Sequence, residues 1–573
     1  MLAHVPLDPC RFLSLFDAIP LMRARSVGWL RRWRILMYAR ATLTGVKKQM
    51  EQPTTQDAKL AATQPSIVEY FGIEGLFGYR SISLSSKFAA TVLIARNGSG
   101  KTTLLAALDA FLRGQFSRFV GLQFETITCR LRGCVEPLIL QRSDVEQLAD
   151  FSINSEIAAR AKGWDVSPLA LLALVESVTK TSSYPELMDD PTFYSIYTKS
   201  AYSWEVAKKQ CLQLAEVMEK KYKSIFFLRN SLRVILGDTQ IVYLPTYRRI
   251  ELSLPEPDSR RGERRKSVLS KLGVARSGLH TADIQFGLGD ISDRLKAIYS
   301  EMLFLSNQGY GKVSANVIND LISGGYKREG SSPAVLPSQE SLEIFFSRIK
   351  DASREYGRGM AYGGFFVTPD LARVYRGDVP EDARPFLGYF LNQLNSVIQQ
   401  TRGYEELVEA FIGSCNKYLS GGDHSTDVFS NGDGDVFDYK VLQFNRRNLD
   451  VKVVSAIMSG RGGDDDEIPL DALSSGEKQM ISLFARLYLY PGKKIVLIDE
   501  PELSLSLDWQ RQILPDILKA PLCQQAIAIT HSPFIFDNEL EPFAGSLKFR
   551  VNPKGRGARM RRLDVDAEGD FNE

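Results

Sequence analysis

The sequence has few of the residues that form structural metal sites and no long apolar run. Its 573 residues include six cysteines and four histidines, and none of the cysteines stands in a CxxC pair. This spacing argues against a zinc site of the usual kind, and reduced thiols are the simpler interpretation. No run of about eighteen apolar residues occurs, so we expect no segment that spans a membrane.

An excess of charge of one sign is also missing. The chain carries 71 basic and 68 acidic side chains, a net charge of +3. No global field therefore marks it as a nucleic-acid-binding protein. Hydrophobic residues make up 44% and charged residues 24% of the sequence. These values are typical of a globular protein, and the length allows roughly three to four domain-sized units.

The most informative stretch is an apolar strand that ends in two acids. Residues 494–498 read KIVLI and are followed by Asp499 and Glu500. Such an apolar run is typical of a buried parallel strand, and ligands of open α/β sheets bind at the carboxyl ends of strands. We expect Asp499 to hold Mg²⁺ and Glu500 to orient and deprotonate an attacking water. For these two residues alone, an ordinary acidic turn is an equal alternative.

A strand, a glycine-rich loop and a helix occur far upstream. Residues 90–94 are an apolar strand, residues 95–103 read ARNGSGKTT, and an apolar-periodic helix is predicted at 104–112. This is the context of a phosphate-binding P-loop. The predicted nucleotide-binding residues of the loop are Asn97, Gly98, Ser99, Gly100, Lys101, Thr102 and Thr103.

Several residues of this loop have predicted roles. Gly98 and Gly100 allow backbone N–H groups to approach phosphate oxygens beside the positive end of the helix. Lys101 is expected to face solvent until nucleotide arrives and then to reach the β- and γ-phosphates, while the Thr102 hydroxyl binds Mg²⁺. Ala95 replaces the first glycine of the GxxxxGK[ST] pattern, which predicts an altered loop geometry with binding retained.

The segment Leu473-Ser474-Ser475-Gly476-Glu477 precedes the acidic strand. With it, the sequence resembles the ABC-type ATPase heads of the RecF, Rad50/SMC and OLD families, in which such a segment opens a helix. The resemblance implies an α/β fold, an ABC-type P-loop NTPase head whose mixed sheet is flanked by helices, with large helical insertions. It also implies Mg²⁺-dependent ATP hydrolysis and an ATP-dependent head-to-tail dimer, or a higher oligomer, of this chain.

Further site residues follow from the resemblance. The signature segment Ser474–Gly476 would complete the γ-phosphate site of another copy. Asp508 lies in a segment similar to the D-loop, which crosses to the other protomer. His531 follows the apolar strand 526–530 and matches the switch histidine that contacts the γ-phosphate, although a lone histidine is more often a core or surface residue. The predicted catalytic residues are thus Glu500, His531 and Lys101, and the predicted metal ligands are Thr102 and Asp499.

Changes in composition divide the chain into seven predicted segments. They are a basic N-terminal extension and linker (1–65), an ATPase lobe with the P-loop (66–143), a helical insertion (144–237), a continuation of the ATPase core with a basic loop (238–306), a helical lobe (307–438), the ATPase half with the signature, acidic strand and histidine (439–550) and a C-terminal tail (551–573). The extension is a membrane-surface helix, a transit peptide or an appended segment. Within the insertion, 204–236 is predicted as one helix. The basic loop 255–280 is a candidate contact for nucleic-acid phosphate.

The layout of the chain favours one group within these families. The P-loop and the signature lie in opposite halves of the sequence, unlike those of ABC transporter subunits, and no room for an OLD-type nuclease domain is expected after the histidine. The sequence looks most similar to PtuA, the ATPase family of Septu and retron-associated anti-phage systems. That resemblance implies a cytoplasmic bacterial protein that regulates a separate HNH-type nuclease, together with a reverse transcriptase and its msDNA in the retron version.

Two other functions remain open at this stage. One is a RecF- or SMC-like ATPase of DNA repair or chromosome maintenance, and the other is a non-hydrolysing scaffold whose ATP site is structural. A small HNH gene or a reverse transcriptase gene beside this one would favour defence.

Overall fold

The structure is a computed structural model. It describes residues 55–96, 98–154, 156–178, 187–188, 190–200, 203–245, 288–323, 336–356, 369–420, 440–455, 468–469 and 472–551. The chain divides into two units, residues 1–51 and 52–573, and every described residue belongs to the second. The predicted basic segment up to residue 50 and the basic loop 255–280 therefore lie outside the described residues.

The first part of the described chain contains strands and short helices. Its elements are α1 (Thr55–Ala62), β1 (Val68–Leu76), β2 (Arg80–Ser85), β3 (Ala90–Ile94), α2 (Lys101–Leu112), β4 (Thr126–Leu131), β5 (Leu138–Gln141), α3 (Arg142–Asn154), α4 (Glu156–Trp164), α5 (Pro168–Ser177), α6 (Pro191–Ser200), α7 (Trp204–Lys221), α8 (Lys223–Leu236) and β6 (Gln240–Leu244). Helices α3 to α8 fall within the predicted insertion, 144–237, apart from the first residues of α3.

The second part begins with long helices and returns to strands. Its elements are α9 (Leu288–Ser323), α10 (Gln339–Tyr356), α11 (Leu371–Arg376), α12 (Arg384–Leu419), β7 (Lys440–Asn445), β8 (Asp450–Ser455), α13 (Ser475–Tyr488), β9 (Lys494–Asp499), α14 (Leu507–Lys519), β10 (Cys523–Thr530), β11 (Ala544–Ser546) and β12 (Lys548–Val551). None of the described helices combines the length and the apolar composition that crossing a bilayer requires.

One five-stranded sheet is parallel and has the order β11-β3-β10-β9-β6. Every residue of β9 is buried, as expected for a central strand that is covered on both faces. Helix α2 packs against this sheet, and most of its residues are buried too. The sheet therefore brings together strands from both ends of the described chain.

The second five-stranded sheet is antiparallel and has the order β12-β2-β1-β4-β5. Its inner face packs on α2, where the rings of Phe71 and Phe111 meet edge to face with centroids 5.8 Å apart. Parallel and antiparallel sheets together with long helices confirm the predicted α/β fold class.

The fully buried side chain of Gln525 joins the two sheets. It stands on β10, and its Oε1 accepts hydrogen bonds from the backbone N–H groups of Ile67 (2.9 Å) and Val68 (2.8 Å). Its Nε2 donates to the Val68 carbonyl and to the Ser86 hydroxyl, both at 3.1 Å. All the hydrogen-bonding atoms of this buried amide are therefore satisfied.

The structure corrects the prediction of one helix over 204–236. Helices α7 and α8 meet at Tyr222, whose φ of −115° and ψ of 85° are not helical. Apolar residues on both sides of the break, Met218 and Ile225 among them, are buried in the same core. The apolar periodicity continues across the break for that reason, so the sequence pattern does not reveal that the helix ends at Lys221 and a new one begins at Lys223.

Two predicted boundaries also differ from the observed elements. The end of the predicted extension and linker, 1–65, contains α1, which packs against α14 and whose Ala58 and Ala62 side chains are buried. Alanines on one face of a short Thr- and Gln-rich segment give little hydrophobic signal. The boundary predicted between 306 and 307 falls inside α9, a single helix of 36 residues.

Candidate active site

Three neighbouring parallel strands end at the same edge of the sheet. Strand β10 pairs with β3 on one side and with β9 on the other. The P-loop follows β3, Asp499 ends β9, and His531 follows β10. Residues that are far apart in the sequence therefore meet where ligands of such sheets bind.

The three predicted catalytic residues form one cluster. Lys101 Nζ donates a hydrogen bond to Glu500 Oε1 at 2.7 Å and lies 2.9 Å from His531 Nε2. His531 Nε2 is in turn 2.8 Å from Glu500 Oε1. The exposed fractions of the side chains are 6% for Lys101, 16% for Glu500 and 37% for His531. The cluster is thus shielded on the lysine side and open at the imidazole.

The environment of Lys101 differs from the prediction that it faces solvent before nucleotide binds. The structure buries its ammonium group against the Glu500 carboxylate. A buried ammonium needs an anionic partner to offset its lost hydration, and Glu500 supplies it. Because Glu500 stands 399 residues later in the chain, its proximity depends on strand pairing that the loop motif does not show.

The two predicted metal ligands also meet. Thr102 Oγ1 donates to Asp499 Oδ2 at 2.5 Å. A hydroxyl and a carboxylate oxygen are the hard donors that Mg²⁺ prefers, usually completed by phosphate oxygens and water. The described residues contain no cluster of three or more His, Cys, Asp or Glu suited to a metal. Thr102 and Asp499 would supply two donors to such an ion and leave its other positions to phosphate oxygens and water.

Two glycines of the predicted P-loop have backbone conformations that other residues rarely adopt. Gly98 has φ of 73° and Gly100 has φ of 94°, both in the left-handed region that favours glycine. A Cβ at Gly100 would contact Ile82 Cδ1 at 3.4 Å. The first turn of α2 contains no acid of its own, but the carboxylates of Glu500 and Asp499 accept hydrogen bonds from Lys101 and Thr102 at this end of the helix.

The remaining P-loop residues take different places. Asn97 lies outside the described residues. Ser99 Oγ is buried and has no hydrogen-bond partner within the part of the chain that is described. Thr103 is in the first turn of α2. Arg80, from β2, donates to the Gly98 carbonyl at 3.2 Å and so ties the loop to the antiparallel sheet.

Ala95 is buried in the core directly after β3. Its backbone N–H donates to the Thr530 carbonyl at 3.4 Å, so the start of the loop is tied to β10. Gly98 and Gly100, which follow it, have the left-handed conformation even though Ala95 replaces the first glycine of the pattern.

The signature segment forms hydrogen bonds within its own protomer. Ser474 caps α13, accepting from Glu477 N at 3.3 Å, and Glu477 Oε2 accepts from Ser474 N at 2.6 Å, which completes a capping box. Burial opposes ionisation of Glu477, but hydrogen bonds from Lys440 and Ser474 outweigh it and lower the pKa of this carboxyl. Ser474 and Ser475 are exposed, and their action on a second copy stays a prediction.

Asp508 lies in the first turn of α14 and is 85% exposed. Its role in a second protomer also stays a prediction. Ser506, rather than Asp508, caps the helix by accepting from Trp509 N at 3.4 Å.

Sequence reasoning missed one residue of the site, Glu502. Its Oε2 accepts from Thr530 Oγ1 at 2.7 Å and its Oε1 accepts from the backbone N–H of His531 at 3.0 Å. The available signal was the third acid of the segment Asp-Glu-Pro-Glu, which a surface turn explains equally well until β9 and β10 are paired.

Among known protein families, one matches the part of the chain that contains the C-terminal residues of this site. A family model of AAA_21, described as "AAA domain, putative AbiEii toxin, Type IV TA system", matches residues 405–537. This range contains the signature, Asp499, Glu500 and His531, but not the P-loop, and it is less than half of the chain. A search of curated proteins finds no match.

Two solved structures show weak overall similarity. The Smc head domain of Pyrococcus furiosus, with an extended coiled coil and bound to the C-terminal domain of ScpA, is 10% identical over 87% of this chain and 99% of that chain, with a TM-score of 0.29. The recombination mediator protein RecF, from a structure described as RecF-ATPrS in the RecFOR pathway, is 12% identical over 83% and 95%, with a TM-score of 0.24. The fold assignment therefore rests on the sheets and the P-loop described above.

Proposed function

We propose that this protein is an ATPase that binds ATP with Mg²⁺ and hydrolyses it. The observation that carries the proposal is the meeting of Lys101, Glu500 and His531 at the ends of β3, β9 and β10. Two left-handed glycines and the N-terminus of α2 would form the phosphate-binding loop. The match of residues 405–537 to an AAA domain supports the same activity.

Each residue of the candidate site has one role in the proposed mechanism. Lys101 moves from Glu500 to the phosphate oxygens, where its charge offsets charge that develops during phosphoryl transfer. Glu500, released from that ion pair, accepts a proton from the attacking water. His531, beside both groups, contacts the γ-phosphate. Thr102 and Asp499 would hold Mg²⁺, which supplies charge neutralisation when bound.

Glu500→Gln tests this assignment. The amide keeps the shape of the side chain but cannot act as a base, so we expect hydrolysis to fall by about 10²–10⁴-fold while ATP still binds. The measurement is phosphate release together with calorimetric ATP titration. Glu541→Gln, an exposed glutamate of the same C-terminal region, is the matched control. Wild-type hydrolysis by Glu500→Gln would refute the mechanism.

We propose further that a second copy completes the site. Ser474 and Ser475 are exposed at the N-terminus of α13, where a helix end favours the phosphates of a bound nucleotide. ATP with Mg²⁺ should therefore stabilise a homodimer, or a higher assembly, of Glu500→Gln. Light scattering that shows the same monomer with and without ATP would contradict this arrangement.

The biological setting that we propose is bacterial anti-phage defence, with a cytoplasmic protein that regulates an HNH-type nuclease. The matching family is described as a toxin of a toxin–antitoxin system, which supports a defence setting. The test is phage challenge with the neighbouring genes present, comparing wild type, Lys101→Ala and Glu500→Gln. Protection that survives both substitutions would exclude ATP-dependent regulation. A nuclease or reverse transcriptase that copurifies with the protein would identify the partner.

A further inference from the structure

The carboxylate of Glu502 accepts two hydrogen bonds at the end of strand β10. Glu502 Oε1 accepts from the backbone N–H of His531 at 3.0 Å, and Glu502 Oε2 accepts from Thr530 Oγ1 at 2.7 Å. Thr530 Oγ1 also accepts from Ser532 N at 2.9 Å. Hydrogen bonds to a charged acceptor are stronger than those between neutral groups. This carboxylate therefore binds the His531 backbone N–H directly and reaches the Ser532 N–H through the Thr530 hydroxyl.

The segment that carries Glu502 is itself bonded to β10. Glu500 has a left-handed φ of 53°, and its N–H donates to the Ile529 carbonyl at 2.8 Å. Pro501 follows and is buried. The residues 500–502 thus hold β10 at two places, and these places lie on either side of Thr530. Any shift of Glu502 would change the distance between His531 and Glu500, which is 2.8 Å between Nε2 and Oε1.

We propose that Glu502 is a positioning residue that keeps the His531 imidazole beside Glu500 during hydrolysis. It contacts no phosphate in this assignment and acts only through His531. The inference rests on the proposed ATPase activity and adds a residue to the same site. It predicts an effect on kcat, because the γ-phosphate contact contributes to the transition state more than to ATP affinity.

Glu502→Ala removes both acceptors, and Glu502→Gln retains a carbonyl oxygen for His531 N. We expect Glu502→Ala to lower kcat by about 10- to 100-fold, the usual cost of losing an orienting partner, with KM nearly unchanged. Glu502→Gln should recover most of that loss. Glu541→Ala, at an exposed glutamate later in the chain, should behave as wild type.

Coupling to His531 separates positioning from a general loss of structure. If Glu502 acts through the imidazole, the double variant Glu502→Ala/His531→Asn should hydrolyse ATP no more slowly than His531→Asn alone. Multiplicative losses in the double variant would overturn the proposal. So would an increase in KM with unchanged kcat in Glu502→Ala.

A nucleotide-free measurement tests the positioning independently of the proposed function. The chain has only four histidines, so the ring signal of His531 can be assigned in an NMR spectrum from its loss in His531→Asn. Glu502→Ala should shift this signal and leave the others in place, and Glu502→Gln should shift it less. An unchanged His531 signal would overturn the proposal, whereas absence of hydrolysis by the wild type would refute only the ATPase activity. If Glu502→Ala does not fold, Thr530→Val removes one of the two bonds and serves in its place.

Discussion

At the scale of single residues, the candidate site is organised around an internal ion pair between Lys101 and Glu500, which nucleotide must open in the proposed mechanism. Lys101 is nearly inaccessible and is held by Glu500 and His531. The motifs predicted the identity of Lys101, Thr102, Asp499 and Glu500, because glycine spacing and strand-end acids are local patterns. They could not predict the ion pair or the role of Glu502, since both depend on which strands pair.

Breaking this pair from one side should destabilise the nucleotide-free protein. Lys101→Ala leaves the Glu500 carboxylate, 16% exposed, without its lysine, and we expect the free energy of unfolding to fall by about 1–3 kcal/mol. Adding Glu500→Gln removes the isolated charge and should recover part of the loss. Urea unfolding of the two single variants, the double variant and the wild type at pH 7 measures the coupling. Additive effects would show that the contact contributes nothing.

At the scale of elements, the signature helix α13 and the loop after β9 are in van der Waals contact. A Cβ placed on Gly476 would lie 2.4 Å from the Ser504 carbonyl oxygen. Ser504 itself has φ of 63°, so this loop is tightly constrained. The sequence predicted both segments as binding a second copy, and it could not show their contact within one chain. The sequence likewise could not show the break at Tyr222, because helices α7 and α8 on either side of it are buried in the same core.

Substitution of this glycine should separate the two elements. Gly476→Ala would push the Ser504 backbone away, and we expect it to lower both stability and ATP hydrolysis while Lys101 and Glu500 remain intact. Gly413→Ala is the matched control, since its Cβ would meet nothing within 4 Å in the exposed part of α12. The control should gain up to about 1 kcal/mol of stability from helix propensity. The measurements are thermal unfolding and phosphate release for both variants. Equal stability and equal hydrolysis of Gly476→Ala and Gly413→Ala would contradict the contact.

At the scale of the whole molecule, burial keeps many weak acids neutral. Burial raises the pKa of the thiols of Cys211 and Cys523 to about 12 and of the Tyr488 phenol to about 12. It raises the pKa of the Cys129 and Cys415 thiols as well. Burial acts in the opposite direction on Lys494 and lowers its pKa to about 8.

These shifts predict loss of stability at alkaline pH. A group whose pKa is raised by folding stabilises the native state fully below its unfolded pKa, near 9.0 for a thiol, and loses that contribution as pH rises toward the folded value. Lys494 gives the opposite slope between about 8 and 10.5, but one amine is outnumbered by four thiols. We therefore expect the free energy of unfolding to fall above pH 9, by about 1.4 kcal/mol per pH unit for each proton released.

Urea unfolding at pH 8, 9, 10 and 11 under reducing conditions measures this slope. Cys211→Ala should flatten it by one proton between pH 9 and 11, whereas its packing cost is independent of pH. A flat profile in the wild type would contradict the assigned burial of the thiols.

The order of strands in the parallel sheet has a consequence for how the protein is made. Strand β3 has β10 and β11 as its neighbours, and His531 is 430 residues later in the chain than Lys101. During translation, β3 must wait on the order of tens of seconds for its partners to leave the ribosome. Its edges are exposed for that time, so the growing chain is a natural client for chaperones. A chain truncated before β10 would lack the strand that pairs with β3. We therefore expect such a chain to have no ATPase activity, rather than reduced activity.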